Sequence, residues 1–232
     1  MGQSLIQAAS IRAQVTQFEH FNSAVATFRT KFNGRPGDIA ASEAAAFGLH
    51  ARAGTDGQGD NDGLIESCAS SAVSGCEFVL FWADLSQANL IKESLLAQNG
   101  DDEDGSATTF EESLQYFPRA SVGDDSTVSV MRYLYVPYFD IARVAAMGPL
   151  HDMKDASINT VEAYQIDIKI DDGLPYSGTA LAGNPYGLIE NTAPLPLIPN
   201  DTRCADVSAG SVIYNVDRPE LLCRFIYRMH SW

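Results

Sequence analysis

Residues 4–32 restrict what this chain can fold into more than any other stretch. Leu5, Ala8, Ile11, Val15, Phe18, Phe21, Val25, Phe28 and Phe32 recur at every third or fourth position, the spacing of one helical face. The stretch holds no proline and no interior glycine. At about 1.5 Å per residue it predicts a helix of roughly 43 Å, much longer than the globular average. Gln7, Ser10, Gln14, Gln17, Asn22 and Arg29 occupy the other positions, so the helix is expected to pack on one side only. Residues 33–38 (NGRPGD) write its stop, with a glycine after the last periodic residue and a proline two further on.

Beyond the stop, alanine-rich residues 40–46 predict a short helix, and residues 54–63 (GTDGQGDNDG) predict a loop. Phe78, Phe81, Trp82, Leu85 and Leu90 mark a second amphipathic helix over 76–91. The acidic run 99–105 reads as a solvated loop. Residues 128–144 read as strand on Val130, Tyr133, Tyr135, Tyr138 and Ile141, with Pro137 marking a bulge or an edge. A third helix is expected over 159–170, where Asn159 stands three before Glu162 in a capping-box arrangement. Asp172 and Gly173 end that helix, with Asp171 and Asp172 placed either to cap the turn or to bind a cation. Residues 183–200 read as a long irregular connection, and 212–215 and 222–228 as short strands. The class is α+β, a long N-terminal helix on an antiparallel sheet with further helices and long loops. Residues 1–33 form the spine and 34–232 the head.

The 232 residues suit one or two domains with a substantial core. Hydrophobic residues at 45% against charged residues at 19% describe a folded chain rather than a disordered one. A net charge of −15 argues against nucleic acid and anionic lipid as partners. No run approaches the apolar length of a membrane span, and no secretory signal is read at the start. Catalytic signatures are also lacking. His20, His50, His151 and His230 are scattered, with no HExxH, CxxC, GxSxG or phosphate-binding glycine loop, so the chain is not expected to be an enzyme.

Four cysteines allow three pairings. Cys68 lies near Cys76 and Cys204 near Cys223, so local bridges are favoured, in keeping with an oxidising compartment. Neither pair has a neighbouring histidine, which argues against zinc.

Residues 4–12 (SLIQAASIR), 18–28 (FEHFNSAVATF) and 32–38 (FNGRPGD) resemble the spine-helix region of a branch of the type IV pilin and type II secretion pseudopilin superfamily. The order of an acidic glycine loop ending 62–66 (DGLIE) and a helix with Trp82, Leu85, Leu90 and Ile91 is similar to the same branch. Residues 163–175 (AYQIDIKIDDGLP) followed by Ser177 and Gly178 carry its most specific match. The cysteine-bearing insert 67–75 departs from that pattern, and nothing in 105–156 resembles it.

The resemblance implies a pilin-like fold whose native chain begins upstream of Met1 with a hydrophobic half-helix, held in the bacterial inner membrane before assembly and forming the filament core afterwards. It implies a structural subunit of an extracellular type IV pilus-like filament or a pseudopilus. Its partners would be other copies of itself and related pilin subunits, with no nucleic acid, and its assembly contacts would involve Leu5, Ile6, Ile11, Val15 and Phe18. It also implies that the disulfide-closed C-terminal loop staples the last strands to the head. The alternative is a secreted, calcium-stabilised binding or adhesion module. The residues encoded upstream of Met1 distinguish the two.

Calcium enters through the residues themselves. Asp56, Asp60, Asn61, Asp62, Leu64 and Glu66 form the expected ligand set, and Gly57, Gly59 and Gly63 let the backbone turn and present carbonyls, as an ion taking six to eight oxygens requires. The spacing is not that of an EF-hand. The competing reading is a solvated turn in which the acids keep the loop soluble, and both readings stay open: the resemblance implies calcium in a loop of the head, but does not place it at this position.

Overall fold

The apolar stripe of the first thirty residues forms one helix, α1 (Gly2–Phe32), in a computed structural model that describes residues 2–66, 76–97, 109–146, 153–183, 204–206 and 212–232. Asn33, at φ +53°, takes the left-handed position that ends it. There follow α2 (Ala41–Phe47), α3 (Glu77–Gln87), α4 (Phe110–Ser113), β1 (Thr127–Tyr133), β2 (Val136–Ala146), β3 (Met153–Asp155) and β4 (Ile158–Asn159). The chain continues with α5 (Thr160–Ile170), β5 (Ala180–Gly183), β6 (Ala205–Asp206), β7 (Ile213–Tyr214) and β8 (Leu222–Arg228). The class is therefore α+β, with a long N-terminal helix and an antiparallel sheet.

The main sheet runs β1-β2-β8-β4, with β3 added to β2 and β5 added to β8, every pair antiparallel. Val130, Phe139 and Phe225 lie on the face that receives α1. Phe18 stacks against Phe139 and Phe225 at centroid distances of 5.8 and 6.5 Å and stands 5.0 Å from Tyr227. Phe21 meets Trp82 of α3 edge-on at 4.7 Å. Strand alternation turns Met131, Tyr138, Leu181 and Ile226 to the opposite face, where they form a smaller cluster. Arg224 ion-pairs with Asp140 at 2.6 Å on that same side.

Three departures from the expected pattern have local causes. Gln14 is fully buried rather than on the outer face, since it stands three after Ile11 and four before Phe18 and so shares their stripe. Its Oε1 accepts the Ser121 N–H at 2.8 Å. Helix α3 is buried along all of 77–85 rather than on one face, because it is enclosed by α1, the sheet and the loop that follows α1. The strand expected over 128–144 is a hairpin, turning at Leu134 and Tyr135 with φ of +50° and +65°. Two-residue turns of this hand ordinarily use asparagine and glycine, so no turn signal is visible in the sequence. Pro137 pairs with Arg132 just before the β8 ladder begins at Tyr138, and the bulge in β2 lies instead between Val144 and Ala146.

Other expectations meet their elements. Asn159 and Glu162 form a complete capping box at the start of α5, and Cys204 is bonded to Cys223. Cys76 is also disulfide-bonded, and its expected partner Cys68 lies outside the described residues, as do the runs 99–105 and 184–200.

Helix α1 is used unequally along its length. Ile11 and Phe18 are buried in the head and Val15 is partly buried, whereas Leu5 and Ile6 are 73% and 69% exposed. Phe18→Ala is expected to lower the unfolding free energy by about 3–5 kcal/mol, while Leu5→Ala changes it by less than about 0.5 kcal/mol. Urea unfolding of the two variants checks this, and equal losses would contradict the packing described.

Candidate functional site

The loop between α1 and α3 is held by a buried charge pair. Asp84 of α3 accepts two hydrogen bonds from the Arg52 guanidinium, at 2.6 and 2.9 Å, and the Gly37 N–H at 2.8 Å. Arg52 also donates to the His50 carbonyl at 3.1 and 3.2 Å. Two glycines permit this closeness. A Cβ at Gly37 would lie 2.5 Å from the Glu77 carbonyl, and one at Gly59 would lie 2.4 Å from Arg52 Cδ. Their φ values of +84° and +70° also belong to the region that favours glycine.

This clamp places the loop backbone over the first residue of α3. Glu77 is fully buried, and its carboxylate accepts the Gly59 N–H at 2.8 Å and the Glu66 N–H at 3.0 Å. Asp38, in the stop after α1, is fully buried too. Its Oδ2 accepts the Gly63 N–H at 3.1 Å and stands 3.7 Å from Arg35, while its Oδ1 is buried with no hydrogen-bond partner among the described residues. Asp38, Asp60 and Glu77 each bring an oxygen within 4.8 Å of the others. Asp56, Asp60 and Glu66 form a second such group, sharing Asp60. Glu66 is ion-paired with Arg132. The Trp232 indole N–H donates to the Gly63 carbonyl at 2.8 Å, so that ring borders the loop.

The structure thus gathers Asp56, Asp60 and Glu66 of the predicted ligand set. Of the predicted carboxylates, Asp62 belongs to neither group, and the Asn61 N–H donates to the Asp38 carbonyl at 3.0 Å. Asp62 serves the turn, with its N–H donating to Asp60 and its Oδ1 accepting the Leu64 N–H. Asn61, at φ +63°, faces the cavity lined by Arg29 and Arg35. Asp38 and Glu77 were missed because each has a sufficient local role in the sequence, one in a helix stop and the other at a helix start. Only tertiary packing joins them to Asp60.

A third acidic group, Asp167, Asp171 and Asp172, is occupied by hydrogen bonds. Asp167 accepts from Tyr214 at 2.7 Å and from the Gly173 N–H at 3.0 Å. Asp171 accepts the Thr179 and Ala180 N–H groups, and Asp172 accepts the Leu174 N–H and the Ser177 hydroxyl. Of the two roles open to Asp171 and Asp172, these bonds describe the capped turn.

Burial pushes the Glu77 carboxyl up to about 9, against the pull of the Gly59 and Glu66 N–H groups, and Asp38 and Asp60 add repulsion. Burial likewise raises Asp38 to about 6, partly offset by the Gly63 N–H. Glu66 is raised by burial first and by its hydrogen bond to Asp56 second, with Arg132 opposing. These carboxyls repel one another unless protons or a cation neutralise them. All the grouped donors are hard oxygens, which suits calcium, magnesium or manganese.

With a chelator present, folded Glu77 keeps a proton that the unfolded chain releases near pH 4.5. Its contribution to stability is therefore full below that pH and is lost as pH rises through about 9. Melting temperature should fall across this window, and the fall should be shallower in Glu77→Gln, whose amide carries no charge. Identical slopes in the two proteins would contradict this reading.

No protein family matches the sequence, and no curated protein and no solved structure matches it.

Proposed function

We propose that this chain is the head of a structural filament subunit of the type IV pilin or pseudopilin kind, which works by polymerising with copies of itself and with related subunits. The observation that carries this reading is the unequal use of α1. Its aromatic half is sunk in the head, while its first turns present Leu5 and Ile6 to solvent. Burying two such side chains between neighbouring copies would contribute about 1.5–3 kcal/mol each, repeated at every subunit. The resemblance of residues 4–12, 18–28, 32–38 and 163–178 to the pilin branch supports the same reading, and so does the disulfide from Cys204 to Cys223 in strand β8.

A subunit of this kind carries a hydrophobic N-terminal stretch, and among the described residues no helix is long and apolar enough to cross a membrane. That stretch would hold the subunit in the inner membrane before assembly and form the filament core afterwards, with the heads displayed outside the cell.

The native gene product, expressed in a bacterium with pilin assembly machinery, is expected in sheared surface filaments. The double variant Leu5→Asp and Ile6→Asp should fold, export and be nearly absent from them. Stable, exported wild-type protein that never enters filaments would overturn the function, and full incorporation of the double variant would remove these two residues from it.

A further inference from the structure

We propose that the cavity at the end of α1 binds a small hydroxylated organic anion, a sugar acid or a sugar phosphate, through the guanidiniums of Arg29 and Arg35. The cavity has a volume of about 540 Å³, within the range of sites that hold small molecules. Its walls come from the last turns of α1 and the stop that follows, from Asn61 of the acidic loop, and from Ser231. Across the whole chain acidic residues outnumber lysine and arginine, 30 to 15. Among the described residues that line the cavity the balance is reversed, with two arginines and no aspartate or glutamate.

A second observation concerns how the two arginines are held. The Arg35 guanidinium lies over the Trp232 ring, 5.5 Å from its centroid. That ring is fixed in turn by its N–H, which donates to the Gly63 carbonyl at 2.8 Å, and by Phe81 at 6.3 Å. Gly63 leaves room for the group, since a Cβ there would stand 2.9 Å from Arg35 Nη1. So placed, the guanidinium meets no acceptor at hydrogen-bond distance among the described residues. Its Nε has none, and Oδ2 of Asp38 is 3.7 Å away. Stacking on an aromatic ring fixes the plane of a guanidinium and leaves its edge N–H groups to pair with carboxylate or phosphate oxygens. Arg29 is anchored by one hydrogen bond, from Nη1 to the Ser231 carbonyl at 2.6 Å, and has no carboxylate partner among the described residues.

Two guanidiniums that are anchored yet short of acceptors on one cavity are matched by an anion. Asn33 and Asn61 add amides to the same walls and Thr30 adds a hydroxyl. Side-chain amides offer donors and acceptors together, which suits hydroxyl groups beside the charge. The site does not rest on the filament function. Arg29 stands about 36 Å along α1 from Leu5, so loss of the site would leave the contacts of Leu5 and Ile6 in place.

Titration of the whole chain with glucuronate, glucose 6-phosphate, glucose and inorganic phosphate, followed by heteronuclear NMR, tests the assignment. At least one of the two charged sugars should shift the Nε–H signals of Arg29 and Arg35 and the side-chain amides of Asn33 and Asn61. The tighter of the two tells a carboxylate ligand from a phosphate ligand. Glucose, which lacks the charge, and inorganic phosphate, which lacks the sugar, should each bind about ten-fold more weakly than that ligand. Arg35→Lys keeps the charge but loses the fork and should weaken binding by about five-fold or more. Arg29→Gln, at an exposed position, guards against variants that fail to fold and should weaken binding by about ten-fold. Lys31→Gln removes the same charge from an exposed side chain outside the cavity and should change binding by less than about two-fold. Absence of shifts at these four residues with both charged sugars would overturn the proposal. So would glucose or inorganic phosphate binding as tightly as the charged sugars, a folded Arg29→Gln variant of unchanged affinity, or equal losses in Arg29→Gln and Lys31→Gln.

Discussion

The rest of the molecule depends on the burial of one aromatic face. Phe18 and Phe21 leave α1 on the same side and are met by Phe139 and Phe225 of the sheet and by Trp82 of α3. Each ring withdraws a large apolar area from water. Because the rings belong to three elements at once, none of those elements is free to shift alone. Helix α1 supplies the surface against which sheet and α3 are arranged, and the loop between α1 and α3 is then confined to the gap that remains.

Within that frame, buried charge is handled in two ways. Arg52 with Asp84 and Arg224 with Asp140 are pairs, each carboxylate taking at least two hydrogen bonds from its guanidinium. Breaking either pair would strand a charge in a low-dielectric interior. Asp38 and Glu77 are equally buried but depend on backbone N–H groups, and among the described residues no guanidinium lies closer than 3.7 Å to Asp38. The contrast separates two pairs that are complete within the chain from a carboxyl cluster that needs protons or an ion from solution.

Much of this was visible in the sequence where the cause is local. The α1 stripe from Ile11 onward, the capping box of Asn159 and Glu162 and the bridging of Cys204 to Cys223 are set by neighbours along the chain and formed as expected, whereas Leu5 and Ala8 at the start of the stripe are exposed. What was not visible depends on the fold. A glutamine in an apolar stripe reads as surface until the Ser121 N–H arrives to meet it. Leu134 and Tyr135 turn a hairpin without any turn residue because the strands on both sides are held by the sheet. Asp56, Asp60 and Glu66 could be read from the loop sequence, but Asp38 and Glu77 reach Asp60 only through packing.

The position of β8 in the sheet has a consequence for the order of folding. This strand pairs with β2, β4 and β5, yet it comes after all of them in sequence. Until residues 222–228 are in place, β2 and β5 have no strand between them and Phe18 lacks both Phe225 and Tyr227. The helix can form early because its contacts are local, but the surface that should cover its rings must be closed across most of the chain length. Such closure is slow compared with helix formation. The aromatic face of α1 is therefore covered in part by the last strand to be made, a long-range closure that depends on nearly the whole chain.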